Sequence, residues 1–150
     1  MAKRLALILG IVFIAVGILG FVVPNLMGTH LSSAHNLIHL VSGGLALYFG
    51  TAGSLSGAKS FCIIFGIVYL GLGLAGFAFG TDMSSTLTPP GIHGHDSHLL
   101  RVIPGILELG LHDHLLHVAL GLIFILGGVF TRANVAVMKR SVSSSEVYHH

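Results

Sequence analysis

The sequence predicts an all-α integral membrane protein, a four-helix bundle made of a tandem parallel two-helix repeat with both termini cytoplasmic. Three observations predict it. The 150 residues are 53% hydrophobic and 8% charged, with a mean hydropathy of +0.93, whereas a soluble domain carries about 25% charged residues. Four apolar runs each approach the length of a membrane-crossing helix, which needs about 20 residues. The basic residues gather at one end of those runs. Seven basic and five acidic side chains cannot wet a globule of this size, so a cytosolic enzyme, a DNA-binding module and a disordered chain are excluded. The single Cys62 excludes a disulfide framework and a cysteine-based zinc site.

The first helix is predicted over residues 5–23, an uncharged run closed by Pro24. Its length exceeds the usual signal-peptide core and no Ala-x-Ala site follows, so it is expected to be retained. The second and fourth helices, over 35–51 and 114–131, begin with polar residues whose first turn would sit at the interface. The third, over 60–80, meets nothing more polar than Cys62. A membrane-crossing sheet is disfavoured, because an open edge cannot be satisfied in lipid and the sequence has no alternating ten-residue strands. Lys3, Arg4, Lys59, Arg132, Lys139 and Arg140 fall at one end of these spans and Arg101 at the other. By the positive-inside rule the first end is cytoplasmic. The segment 132–150 is then a cytoplasmic tail and the histidine-rich loop 81–113 faces outward. Within that loop, residues 99–111 (LLRVIPGILELGL) are expected to lie in the outer interface, broken at Pro104-Gly105.

The halves of the chain resemble each other. ILGIVFIAVGILGF (8–21) and IFGIVYLGLGLAGF (64–77) share seven of fourteen positions, and Phe13 aligns with Tyr69. NLIHLVSGGLALYFG (36–50) aligns with HLLHVALGLIFILGG (114–128), which matches His39 with His117 and Gly43 with Gly121. Matching helices run the same way, so the pseudo-two-fold axis should lie along the membrane normal. Gly10, Gly17, Gly66 and Gly73 are expected to let helices pack closely.

With these motifs (Gly10 to Phe21, Asn36-x-x-His39-x-x-x-Gly43 and Asp113-x-x-x-His117-x-x-x-Gly121) the chain resembles an uncharacterised bacterial family of small four-helix membrane proteins, a domain of unknown function. The resemblance covers about residues 4–131. His114 stands where the family's second motif usually has Asn, and the loop His93-Gly-His95-Asp-Ser-His98 departs from its pattern. The resemblance implies a four-helix fold in a bacterial inner membrane. It carries no activity.

The sequence holds eleven histidines. With the terminal His149 and His150 set aside, the other nine fall on the outer side. His39 and His117 lie about one turn inside their helices. His35 and Asp113 come four residues earlier, on the same face, with Asn36 and His114 beside them, and Gly43 and Gly121 come four residues later. Ionisable residues at membrane depth usually face the bundle interior and carry a function. Three readings stay open for the pair: interhelical hydrogen bonds, a ligand site for haem, chlorophyll or a divalent metal, and a path for protons or ions. For the first, Asn36 and Asp113 supply partners. For the second, bis-imidazole is a competent axial pair and the glycines would leave room for a macrocycle. His93, His95 and His98 form a candidate metal site of their own, because imidazoles suit Zn²⁺, Cu²⁺ and Ni²⁺.

No nucleophile motif, phosphate loop or paired carboxylate appears. The sequence therefore points to a non-enzymatic membrane protein, foremost an accessory or assembly subunit that packs against a membrane-protein partner or a second copy of itself. The alternatives are a cofactor-binding protein using His39 and His117, and a small channel or transporter. Beyond the lipid bilayer and such a partner, no nucleic acid is expected.

Overall fold

The computed structural model describes residues 1–87 and 95–132 of the chain. Four helices run along its length: α1 (Ala2–Leu19), α2 (Ser33–Thr51), α3 (Leu55–Phe79) and α4 (Leu111–Val129). The starts of α2, α3 and α4 are chemically specified. Ser32 Oγ accepts from the backbone of His35 at 3.2 Å, and Ser54 Oγ accepts from Gly57 at 3.0 Å, the usual N-cap arrangement. Asp113, in the first turn of α4, reaches back to the Gly110 N–H at 2.8 Å. These caps start α2, α3 and α4 two to five residues earlier than the apolar runs alone suggest, because a run marks where a helix is greasy and a cap marks where it begins. Among the described residues, α1, α3 and α4 are long and apolar enough to cross a membrane. The 19-residue α2 is more polar, and it buries its polar residues His35, Asn36, His39 and Ser42.

The helices associate as two close pairs, α1 with α2 and α3 with α4. Glycine makes both possible. A Cβ on Gly43 would lie 2.9 Å from the Gly10 carbonyl oxygen, and one on Gly121 would lie 2.8 Å from the Gly66 carbonyl oxygen. Farther along, Gly17 rests on the Asn36 carbonyl and Gly73 on the His114 carbonyl. Each pair is thus packed backbone to backbone at aligned positions. Between the pairs runs a column of larger side chains, with Phe13, Phe61, Tyr69 and Phe124 buried along it.

The chain is not all-α. Three antiparallel strands, β1 (Thr81–Ser84), β2 (His95–Ile103) and β3 (Leu107–Leu109), form a sheet in the order β1-β2-β3 between α3 and α4. The segment expected to lie in an interface is a β-hairpin instead. Pro104 and Gly105 occupy its corner, Gly105 has φ +71°, and the Ile106 N–H returns to the Ile103 carbonyl at 3.0 Å. Pro followed by a positive-φ Gly is the signature of a type II turn. The tail beyond Arg132 and the loop residue His93 lie outside the described residues.

The two ends of the bundle differ. Ala2 N–H donates to Thr131 Oγ1 at 2.7 Å, and Lys3 Nζ donates to the Thr51 carbonyl at 3.0 Å. This places Lys3, Arg4, Lys59 and Arg132 at one end, with the sheet and nearly all the buried polar residues at the other.

Candidate functional site: a buried imidazole layer

His39 and His117 are each six residues beyond the first residue of their helix, roughly 9 Å along the axis at 1.5 Å per residue. They therefore sit at matching depths, and both are buried. Each lies against an aromatic residue, and the two aromatics, Phe13 and Tyr69, align with each other in the sequence. Phe13 meets His39 with ring centroids 5.5 Å apart, Tyr69 meets His117 at 5.1 Å, and Phe13 and Tyr69 meet each other at 5.4 Å. His35 joins from above, stacked on His39 at 4.6 Å and tilted toward His117 at 6.0 Å. The outcome is one layer of five rings across the bundle.

A carboxylate closes the layer toward the sheet. Asp113 Oδ2 accepts from the backbone of Gly110 and from that of His30 at 2.9 Å, and lies 3.3 Å from His30 Nδ1. Its Oδ1 is 3.9 Å from His35 Nδ1. That same nitrogen is 2.9 Å from the His30 carbonyl. A carbonyl can only accept, so His35 carries its proton on Nδ1. Asp113 thereby joins the start of α4 to the segment leading into α2. His35 and Asp113 align with each other in the sequence, and the chain sets a base opposite an acid at these positions.

The other candidates separate. Asn36 donates to the Leu31 carbonyl at 3.3 Å and packs on Gly20, while His114 Nε2 donates to the His98 carbonyl at 2.7 Å and its ring packs on Gly76. Both support the layer without entering it. Gly43 and Gly121 face α1 and α3, not an opening. This overturns the expectation that they leave room for a macrocycle, because backbone from the partner helix fills that space. Of the loop histidines, His95 lies 2.8 Å from Asp82 and is exposed, and His98 sets its ring edge-on to Phe77. Among the described residues no group of three or more His, Cys, Asp or Glu side chains is placed to hold a metal ion.

Two voids flank the layer. One of about 180 Å³ lies between α1 and α4 and reaches Phe13, His35, His39, Asp113 and His117. The other, about 170 Å³, lies between α2 and α3 under the hairpin residues Val102, Leu107 and Leu109, and reaches Ser42, Tyr69 and His117. Neither approaches the 300 Å³ or so at the small end of drug-sized ligand pockets, so a tetrapyrrole clasped by His39 and His117 does not fit this packing. Nδ1 of His39 and Nδ1 of His117 are buried without a hydrogen-bond partner. Leaving such a group unsatisfied costs about 1–3 kcal/mol.

No family model, curated protein or solved structure matches the chain. The site must be judged on its chemistry alone.

That chemistry has one end. Toward the basic end, past Ser42 beside the ring layer, the buried side chains are Phe124, Phe61, Cys62 and the alanines 2, 6, 46 and 58, with Thr131 at the terminus. Sequence reasoning singled out His35, His39, Asp113 and His117 but missed His30, Phe13 and Tyr69 as members of the site. The alignment of Phe13 with Tyr69, each opposite a histidine of its own half, was the signal that could have found the aromatic pair. His30 carried no local signal, since its partner Asp113 is 83 residues away.

Proposed function

We propose that this chain is a non-enzymatic four-helix integral membrane protein that binds a small neutral molecule in its imidazole layer. The observation that carries the reading is the pair of buried, unpartnered imidazole nitrogens of His39 and His117 beside a void that both rings line. The surface of that void is almost wholly apolar, so a ligand that fills it is apolar over most of its body and polar only where it meets the imidazoles. The aligned glycine contacts of the two helix pairs support a duplicated two-helix unit. The grouping of Lys3, Arg4, Lys59 and Arg132 supports a cytoplasmic placement of both termini, which sets the sheet and the layer on the outer side of a bacterial inner membrane. Passage of protons or ions fits less well, because the polar side chains stop at Phe124 and Phe61 and an apolar plug follows.

The test is the ¹⁵N spectrum of the two histidine side chains in nanodiscs, titrated with 4-propylphenol as a neutral single-ring probe. Saturable shifts of the His39 and His117 nitrogens are expected. Spectra unchanged up to the solubility limit of the probe would refute the reading.

A second role has its own observation. Gly44 on α2 and Gly71 on α3 face outward, with nothing within 4 Å of where a Cβ would stand. Small residues on a lipid-facing surface let another helix approach closely, which suits an accessory subunit packed against a membrane partner or a second copy. Gly44→Leu and Gly71→Leu should then release the partner from the detergent-extracted complex. The inward-facing Gly17 and Gly73 are unsuited to this test, since changing them disrupts the bundle itself.

A further inference from the structure

We infer that the occupant of the void between α1 and α4 is the ring of a lipid-soluble quinone or its quinol; the inference rests on the ligand-site reading above and narrows it to one chemical class. Size comes first. The void measures about 180 Å³, and a dry cavity of about 150 Å³ holds one benzene ring, so a single substituted six-membered ring is the largest rigid body it takes. Charge comes second. No Lys or Arg lines the void, and its one carboxylate, Asp113, is already engaged by Gly110, His30 and His35. An anion would find no counter-charge and a cation no free acceptor, so the ligand is neutral.

Polarity decides the class. A neutral imidazole presents one N–H and one lone pair, and the proton can sit on either nitrogen. It therefore donates to a quinone carbonyl or accepts from a quinol hydroxyl with the same heavy-atom geometry. His39 and His117 both line the void; their Nδ1 atoms are sealed off, so each ring offers the ligand its Nε2, as donor or acceptor according to the tautomer. Phe13 adds an aromatic face, and the remaining walls include Val12, Val16, Met27, Leu116 and Leu120. Access fits a tailed molecule. Val12, Met27 and Leu116 are exposed on the outside of the bundle, so a hydrocarbon tail leaves the ring between α1 and α4 and runs directly into lipid. The equivalent void between α2 and α3 lies under the hairpin, which favours the α1–α4 side for entry.

The proposal is tested on the full chain in nanodiscs, by calorimetric titration with decyl-benzoquinone, with its quinol and with decylbenzene as the tail-matched compound lacking ring oxygens. Saturable one-to-one binding of quinone and quinol is expected, with binding of decylbenzene at least ten-fold weaker. A His39→Phe/His117→Phe variant should weaken quinone binding at least ten-fold. Val12→Trp, which fills the mouth and leaves both imidazoles in place, should do the same while circular dichroism stays unchanged. Quinone binding that survives Val12→Trp, or decylbenzene binding as tightly as quinone, would overturn the assignment. Failure of quinone beside saturable shifts with 4-propylphenol would overturn the quinone class alone. Failure of both probes would overturn the ligand site with it.

Discussion

Glu108 has no exposed surface, yet it is held as a carboxylate. Burial pushes its pKa up, but hydrogen bonds donated by the Thr86 hydroxyl, the Gly105 and Thr86 backbone and the Ser85 hydroxyl outweigh that and hold it at about 2. Arg101 Nε stands 3.5 Å away. A lowered pKa stabilises the fold fully above the unfolded value near 4.5, and that contribution is lost as the pH falls through the folded value near 2. The protection factors of the amides in β2 and β3, exchange rates taken relative to the intrinsic rate at each pH, should therefore fall between pH 4.5 and 2 in the native chain. Glu108→Gln should remove that dependence and destabilise the hairpin by about 2 kcal/mol, the scale of a hydrogen bond to a charged group; an unchanged pH profile would refute this role. Asp113 plays the corresponding part at the layer. Asp113→Ala removes the acceptor of Gly110 and His30 and should lower bundle stability by about 1–3 kcal/mol in a thermal unfolding series. Side chains of this kind are only half legible in a sequence. His35, His39, Asp113 and His117 show through their four-residue spacing, whereas His30 and Glu108 are defined by partners that only the folded chain brings near.

At the scale of elements, the glycines make the sharpest distinction. A Cβ on Gly121 would lie 2.5 Å from the Leu70 nitrogen, and one on Gly66 would lie 2.7 Å from the Gly121 carbonyl. Backbone atoms cannot step aside as a flexible side chain can. Gly66→Ala and Gly121→Ala should therefore lower the unfolding temperature and loosen α3 from α4. Gly71→Ala and Gly44→Ala meet open space and should be neutral or raise stability by about 0.5–1 kcal/mol, the helical preference of Ala over Gly. Equal effects at the four positions would contradict the packing described. The four helices were legible in the sequence because a long apolar run imposes its own structure. The hairpin was not, since Val102-Ile103-Pro104-Gly105-Ile106-Leu107 reads equally as an interfacial segment until Pro-Gly is recognised as a turn with apolar strands on either side. Its pairing also depends on β1, and the intervening chain gives no periodic signal for that strand.

The described residues form a bundle with a polar half and an apolar half, and Lys3, Arg4, Lys59 and Arg132 lie at the apolar end. If it spans a membrane as proposed, a cysteine at Ser56 should react with an impermeant maleimide only from the side of the termini, and one at Ser97 only from the opposite side, in a chain whose Cys62 is replaced by Ala. Reaction of both from one side would refute the four-span topology. The same division bears on how much of the candidate site is legible in the sequence. Nine of the eleven histidines, those outside the terminal pair, are expected at one end and mark where polarity is concentrated, but only packing shows that His35, His39 and His117 line a void while His114 rests on a glycine. The most direct test of the central claim is organic extraction and mass spectrometry of the protein taken from its native membrane in mild detergent, beside the His39→Phe/His117→Phe variant. A near-stoichiometric neutral compound in the native chain that is absent from the folded variant is the predicted result. The same compounds at the same level in both, with no enrichment over the surrounding lipid, would contradict a ligand site in the imidazole layer.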